Sequence, residues 1–187
     1  VPYSEAGKAF INGDLRPAYD PQEDIYADML NELEESVAIF ETGGSSSLGS
    51  ADILYGGDIE KWRKWANSLM LRLAMRMTKV DETAAQQWAQ KAIEGGVMES
   101  NADNAIFEYL DSPPNNNPLW EDLVQSGRSD YVAANTIVNY MNELEDPRRS
   151  VYFDENLGNN NYVGGIYGAS NSFSNYTHIG AEFRQPT

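Results

Sequence analysis

Gly57-Asp58-Ile59-Glu60-Lys61-Trp62-Arg63-Lys64-Trp65-Ala66-Asn67-Ser68-Leu69-Met70-Leu71-Arg72-Leu73-Ala74-Met75-Arg76 reads as one long helix. Asp58 follows the Gly56-Gly57 turn and serves as its N-cap. At about 100° per residue, Trp62, Trp65, Ala66, Leu69, Leu73, Arg76, Met77 and Val80 share one stripe. Leu71 and Met75 lie on the opposite side. A helix apolar on two sides has to be sandwiched between other helices, so a helical stack is expected. Arg76 falls inside the main stripe. A buried guanidinium needs a carboxylate or carbonyl partner, and breaking such a pair costs about 3–5 kcal/mol. Arg72 and Arg76 are therefore expected to form an internal ion-pair device, with Arg76 buried.

Outward from this helix, Asp20-Pro21-Gln22-Glu23 predicts an earlier helix start, with Asp20 as cap, Pro21 at the first turn and Glu23 closing a capping box. Tyr26, Met29, Leu30, Leu33, Val37 and Phe40 recur at helical spacing until Gly43-Gly44, and residues 44–49 read as a mobile Gly/Ser loop. On the other side, Asp81 caps a shorter helix that turns Ala85, Trp88, Ala89, Ala92 and Ile93 inward and closes at Gly95-Gly96. Residues 112–118 form a Pro/Asn loop, and 119–124 a helical turn or two. Asp130 is read as opening a fourth helix, with Tyr131, Ala134, Ile137, Val138, Met141 and Leu144 as its apolar set and Pro147 as its stop. From Asp154 onward Gly, Asn, Ser and Tyr dominate. A loop region that long inside a domain is usually functional or disordered, and short strands are expected near Tyr162-Val163 and from Ile179 to Phe183. The reading is thus a mainly α domain, helical over 1–153 and loop-rich over 154–187. The Ala-rich hairpins resemble tetratricopeptide stacking, without internal self-similarity at the roughly 34-residue period.

Composition narrows the function. The chain has 187 residues, 41% hydrophobic, enough for a real core. Its formal net charge of −16 disfavours nucleic acid and anionic lipid as partners, whereas a neutral ligand such as a sugar is compatible. Cysteine is absent and His178 is the lone histidine, which argues against disulfides, thiolate chemistry and a histidine-rich metal site. No cofactor is implied. Asp154-Glu155-Asn156 is not an EF-hand loop. The chain opens Val1-Pro2-Tyr3 without a starting Met, as a cut into a longer protein or a mature segment would. No apolar run approaches the roughly 20 residues of a membrane span. No phosphate loop, nucleophile elbow or metal-ligand helix motif is present. With 29 acidic residues some carboxylate pair is inevitable, so Glu32, Glu34 and Glu35, or Asp154 and Glu155, carry little weight as a glycosidase pair.

The segment from Tyr55 to Arg76 resembles the SusD/RagB family, outer-membrane lipoproteins of Bacteroidetes that bind glycans. Val1-Pro2-Tyr3-Ser4-Glu5-Ala6, Tyr19-Asp20-Pro21-Gln22-Glu23-Asp24-Ile25-Tyr26, Ala92-Ile93-Glu94-Gly95-Gly96-Val97-Met98, Ser129-Asp130-Tyr131-Val132 and Asp146-Pro147-Arg148 extend the resemblance in the family's order. The resemblance implies a SusD-like stack of tetratricopeptide-type helices, of which this chain is a central segment. It further implies non-catalytic binding of oligosaccharide or polysaccharide at the outer-membrane surface. The implied partner is a SusC-like TonB-dependent transporter, and the implied anchor is a lipid on a cysteine this chain does not contain. A protein-interaction scaffold docking on the transporter is the alternative, and a carbohydrate-active enzyme a third reading.

Sugar binding needs aromatic faces for pyranose rings and polar side chains for hydroxyls, best carried by loops on a rigid frame. The stretches with this chemistry are 115–120, 159–167 and 172–176. Trp120 and Tyr167 are the expected platforms, with Tyr162 and Tyr176 as further ones; Asn117, Arg128 and Asp130 are the expected hydroxyl partners. Asn and Tyr interleaving is also ordinary turn composition, so each residue has a structural reading beside this one. Trp62 and Trp65, at helical spacing, are read as core.

Overall fold

The computed structural model describes residues 1–42 and 47–187. The chain divides into two compact units, Val1–Phe107 and Glu108–Thr187. The compositional break at Asp154 lies within the second. The described residues are mainly helical and form no sheet.

The first unit holds α1 (Ala9–Asn12), α2 (Gln22–Glu41), α3 (Ile59–Met77) and α4 (Glu82–Glu94). Helix α3 packs against both α2 and α4, the sandwich its two-sided apolar pattern requires. Leu30 of α2, Met70 of α3 and Ala92 of α4 form the buried centre, fringed by Leu33, Leu71, Leu73, Met77 and Trp88. The buried row of α3 is Ala66, Asn67, Met70 and Ala74. Small side chains at Ala66, Ala74, Ala85 and Ala92 are all buried, which lets helix axes approach closely.

That row corrects the expected stripe. Arg76 is six residues beyond Met70, which at about 100° per residue turns it about 120° away from the core. Arg76 is exposed, as is Arg72, and no ion pair holds either among the described residues. Ile93 likewise faces solvent on α4.

Asp58 caps α3 by accepting from Lys61 N at 3.1 Å, and Asp81 caps α4 by accepting from Ala84 N at 2.9 Å. Asp20 does not cap α2, which starts at Gln22 without a side-chain cap. Its carboxylate instead accepts from the backbone N–H groups of Tyr3 and Ser4, tying the N-terminal segment down. The expected Gly43-Gly44 stop and the first part of the expected mobile loop lie outside the described residues. Gly49–Ala51 form a 3-10 turn.

The second unit holds α5 (Pro118–Trp120), a π-turn at Glu121–Gln125, α6 (Asn135–Glu143) and α7 (Arg149–Tyr152). Its core is Ala133, Val138, Met141, Phe153 and Tyr162, with Tyr152 packed alongside. Asp130 does not open α6; the helix starts five residues later, after an extended Ala134. The reason is competition for backbone hydrogen bonds. Ala133 N donates to Thr177 O and Asn135 N to Gly165 O, both at 2.8 Å, so this stretch pairs with the tail instead of coiling. The expected short strands do not form: Tyr162-Val163 carries no strand, Ile179 makes a single isolated bridge to Phe153, Ala181–Arg184 is a 3-10 turn, and the other isolated bridge joins Ala134 to Gly165. The crossing is tight: a Cβ on Gly164 would lie 2.3 Å from Asn135 Cα, so only glycine fits there.

Candidate functional site

All seven residues singled out for sugar contact belong to the second unit. They fall on two separate pieces of chain.

The first piece runs from 116 to 131. Asn117 caps α5: its Oδ1 accepts from Leu119 N at 3.0 Å, and Pro118 occupies the first helical position. Its Nδ2 donates to Phe183 O and Gln185 O, each at 2.9 Å. Asn117 is therefore a tether whose amide protons are both committed within the chain, leaving only a lone pair on Oδ1 for any hydroxyl. The turn it anchors presents Trp120 half-buried. The π-turn follows, closed by Ser126 N donating to Glu121 O at 2.9 Å. Such turns cluster at functional sites.

Arg128 makes a two-pronged bond to Asp130, with Nε and Nη2 donating at 2.9 and 2.7 Å. Asp122 lies 3.6 Å from Nη1, and the guanidinium sits 4.6 Å above the Tyr131 ring. The hydrogen bonds from Arg128 hold the Asp130 carboxyl below the usual carboxylate range, and those to Asp130 push the guanidinium up. Two carboxylates on one guanidinium leave the group acidic. Each Asp130 oxygen retains lone pairs facing water, able to accept from a hydroxyl. Asp122 and Tyr131 were not singled out in the sequence; Tyr131 had been read as a helix core position.

The second piece runs from 153 to 180. Tyr162 is 4% exposed. Its ring packs 5.8 Å from Phe153 and lies under the Arg149 guanidinium at 5.7 Å. Burial pushes its hydroxyl pKa up. A ring so enclosed has no face for a sugar, which corrects its expected role as a platform. Tyr167 is the opposite case, 75% exposed on the turn after Gly165. Asn171 fixes that turn, accepting from Ile166 N at 3.0 Å and donating to Ile166 O and Ala169 O at 2.9 and 3.1 Å. Asn171 was missed because nothing in an Asn/Ser/Gly-rich stretch marks which amide closes a turn. Tyr176 is half-buried, and its carbonyl accepts from Asn156 Nδ2 at 2.9 Å.

Aromatic side chains thus reach solvent on both pieces, Trp120 and Tyr176 partly and Tyr167 largely, with a paired Arg–Asp group on the first piece. No cluster of side chains able to hold a metal ion occurs among the described residues. No described helix is long and apolar enough to cross a membrane.

A family model described as "Starch-binding associating with outer membrane" (SusD-like_2) matches residues 1–187. The chain belongs to the SusD-like family. This SusD-like chain is similar along its whole length to a solved chitin-binding SusD homologue from Flavobacterium johnsoniae, with 32% identity and a TM-score of 0.76, covering 39% of that chain. A SusD homologue from Bacteroides uniformis is similar at 34% identity and a TM-score of 0.76, with 100% of this chain and 40% of that one covered. A further structure described as a chitin-binding protein shares 30% identity at a TM-score of 0.70, over 100% of this chain and 42% of its own. The SusD-like segment therefore spans about two fifths of the length of these solved relatives. No curated protein sequence matches it.

Proposed function

We propose that this SusD-like chain is part of a non-catalytic glycan-binding protein of the bacterial outer-membrane surface. It would hold oligosaccharide or polysaccharide and pass it to a SusC-like TonB-dependent transporter, with a lipid anchor elsewhere in the longer protein. The observation that carries the reading is the likeness, along the whole of this chain and 39% of the other, to a chitin-binding SusD homologue at 32% identity. Chito-oligosaccharides and malto-oligosaccharides are accordingly the first ligands to try.

Within the chain, Tyr167 and Trp120 are the stacking platforms, Arg128 and Asp130 the hydroxyl partners, and Tyr176 an accessory ring. Aromatic rings on firm turns suit the apolar faces of pyranoses, and an exposed Arg–Asp pair offers both donors and acceptors. The acidic surface favours a neutral glycan over a polyanion.

Titration calorimetry with chitohexaose and maltoheptaose tests this. Binding without product formation, weakened by Tyr167→Ala, is the expected result. Release of shorter sugars would replace the reading with an enzymatic one. Absence of glycan binding together with association to the transporter would favour the scaffold alternative.

A further inference from the structure

Helix α6 carries more apolar surface than its own unit covers. At about 100° per residue, Val138, Met141, Ile137, Leu144 and Tyr140 fall in one continuous arc of roughly 160°. The inner half, Val138 and Met141, is buried in the core of the second unit. The outer half is not: Ile137 and Tyr140 on α6 and Leu144 at its C-cap are 47%, 63% and 57% exposed. They stand at i, i+3 and i+7, the kind of row by which one helix packs on another. By contrast α2, α3 and α4, each longer than α6, expose one large apolar side chain apiece, Ile39, Met75 and Ile93.

Two occupants compete for this row. A second copy would bring two strongly acidic chains together, each of formal net charge −16, and α6 has no Lys or Arg to offset Glu143. The other occupant is polypeptide beyond these 187 residues. The solved relatives that match the whole of this chain continue for about three fifths of their length outside the match, ample chain to supply a further helix. The row itself is uncharged, two branched aliphatic side chains and one ring, so it takes a helix that presents an apolar row of its own.

We propose that Ile137, Tyr140 and Leu144 form the seat of an amphipathic helix from the part of the polypeptide that lies outside residues 1–187. This seat is independent of the glycan reading above. The seated helix completes the cover of the α6 arc. It also ties the second unit, which carries Trp120 and Tyr167, to the rest of the longer protein.

The test uses the full-length protein with a benzophenone photocrosslinker in place of the Tyr140 side chain, irradiated in dilute solution and mapped by peptide mass spectrometry. The expected product has the mass of a monomer and joins position 140 to a peptide outside residues 1–187. A join to residues 1–187 of the same chain, to a second copy or to another protein overturns the proposal, as does the absence of any joined peptide. Leu144→Ala in the same full-length protein keeps the test decisive if the labelled protein does not fold. A covered leucine makes the thermal midpoint fall by at least about 2 °C on truncation; an unchanged midpoint, the behaviour of an exposed residue, overturns the proposal.

Discussion

Trp62 Nε1 donates a 2.7 Å hydrogen bond to the carboxylate of Asp52. The same carboxylate accepts from the backbone N–H groups of Leu54, Tyr55 and Gly57. The indole bond leads these in holding the Asp52 pKa at about 2. Asp146 is likewise held at about 2, chiefly by the Arg148 side chain. Both pKa values are lower folded than unfolded. Their contribution is therefore present above the unfolded value of about 3.9 and lost as pH falls through about 2. Thermal midpoints followed from pH 5 to pH 2 should fall across that window. Asp52→Asn should lower the midpoint at pH 7 and flatten the acid limb; an acid limb as steep as the wild type's would remove Asp52 from the explanation.

Asn67 closes the end of α4 from α3, its Nδ2 donating to Gly95 O at 2.8 Å and Gly96 O at 3.0 Å. Asn67→Leu removes the Asn67 donor from Gly96 O and leaves Gly95 O with the Arg63 guanidinium alone, and should cost about 1–3 kcal/mol in chemical denaturation. Gly95→Ala should cost a similar amount, about 1–3 kcal/mol, by overpacking. The added Cβ would lie 2.8 Å from Asn67 Nδ2. A Gly95→Ala variant as stable as wild type would show that the junction gives way easily.

Arg76→Met discriminates between the helical-wheel expectation and the structure. An exposed arginine without an ion pair should change stability by no more than about 0.5 kcal/mol. A loss of about 3–5 kcal/mol would restore the buried pair that the sequence pattern suggested.

Tyr167→Ala should leave the unfolding midpoint nearly unchanged, because the ring is 75% exposed. Glycan affinity should drop by about 0.5–1.5 kcal/mol, the range for a lost aromatic contact. Asn171→Ala should lower affinity too, by freeing the turn that presents Tyr167. The double variant should be no weaker than the worse single one if Asn171 acts through Tyr167. Additive losses would give Asn171 a separate contact.

The helical part was legible because its signals are local. Asp58 and Asp81 cap the helices they precede, and α3 lies between α2 and α4 as expected, although Met75 on its second apolar side faces solvent. Arg76 was misread because a wheel tolerates a wide stripe, whereas packing of Ala66, Met70 and Ala74 selects one row. The start of α6 was misread because the competing partners, Gly165 and Thr177, lie 30 or more residues downstream. The same non-local pairing separates Tyr162 from Tyr167. Both sit in a Gly/Asn/Tyr stretch, and only the fold of that stretch decides which ring is buried. Asn116 and Asn117 are adjacent asparagines, yet the Asn117 amide protons are both committed and the Asn116 amide is buried unpaired, a difference no composition carries.

The Asn117 tether also has a bearing on timing. The cap of α5 draws on carbonyls of Phe183 and Gln185, 66 and 68 residues further along. A ribosome adding about 5–20 residues per second needs roughly 3–13 s to make the first of them after Asn117 itself. Through that interval the Trp120 turn is without its clamp, whereas every residue of α2, α3 and α4 has already been added to the chain. The Trp120 turn is thus set late in synthesis, and a pause or truncation upstream of Phe183 would release a chain without the Asn117 tether.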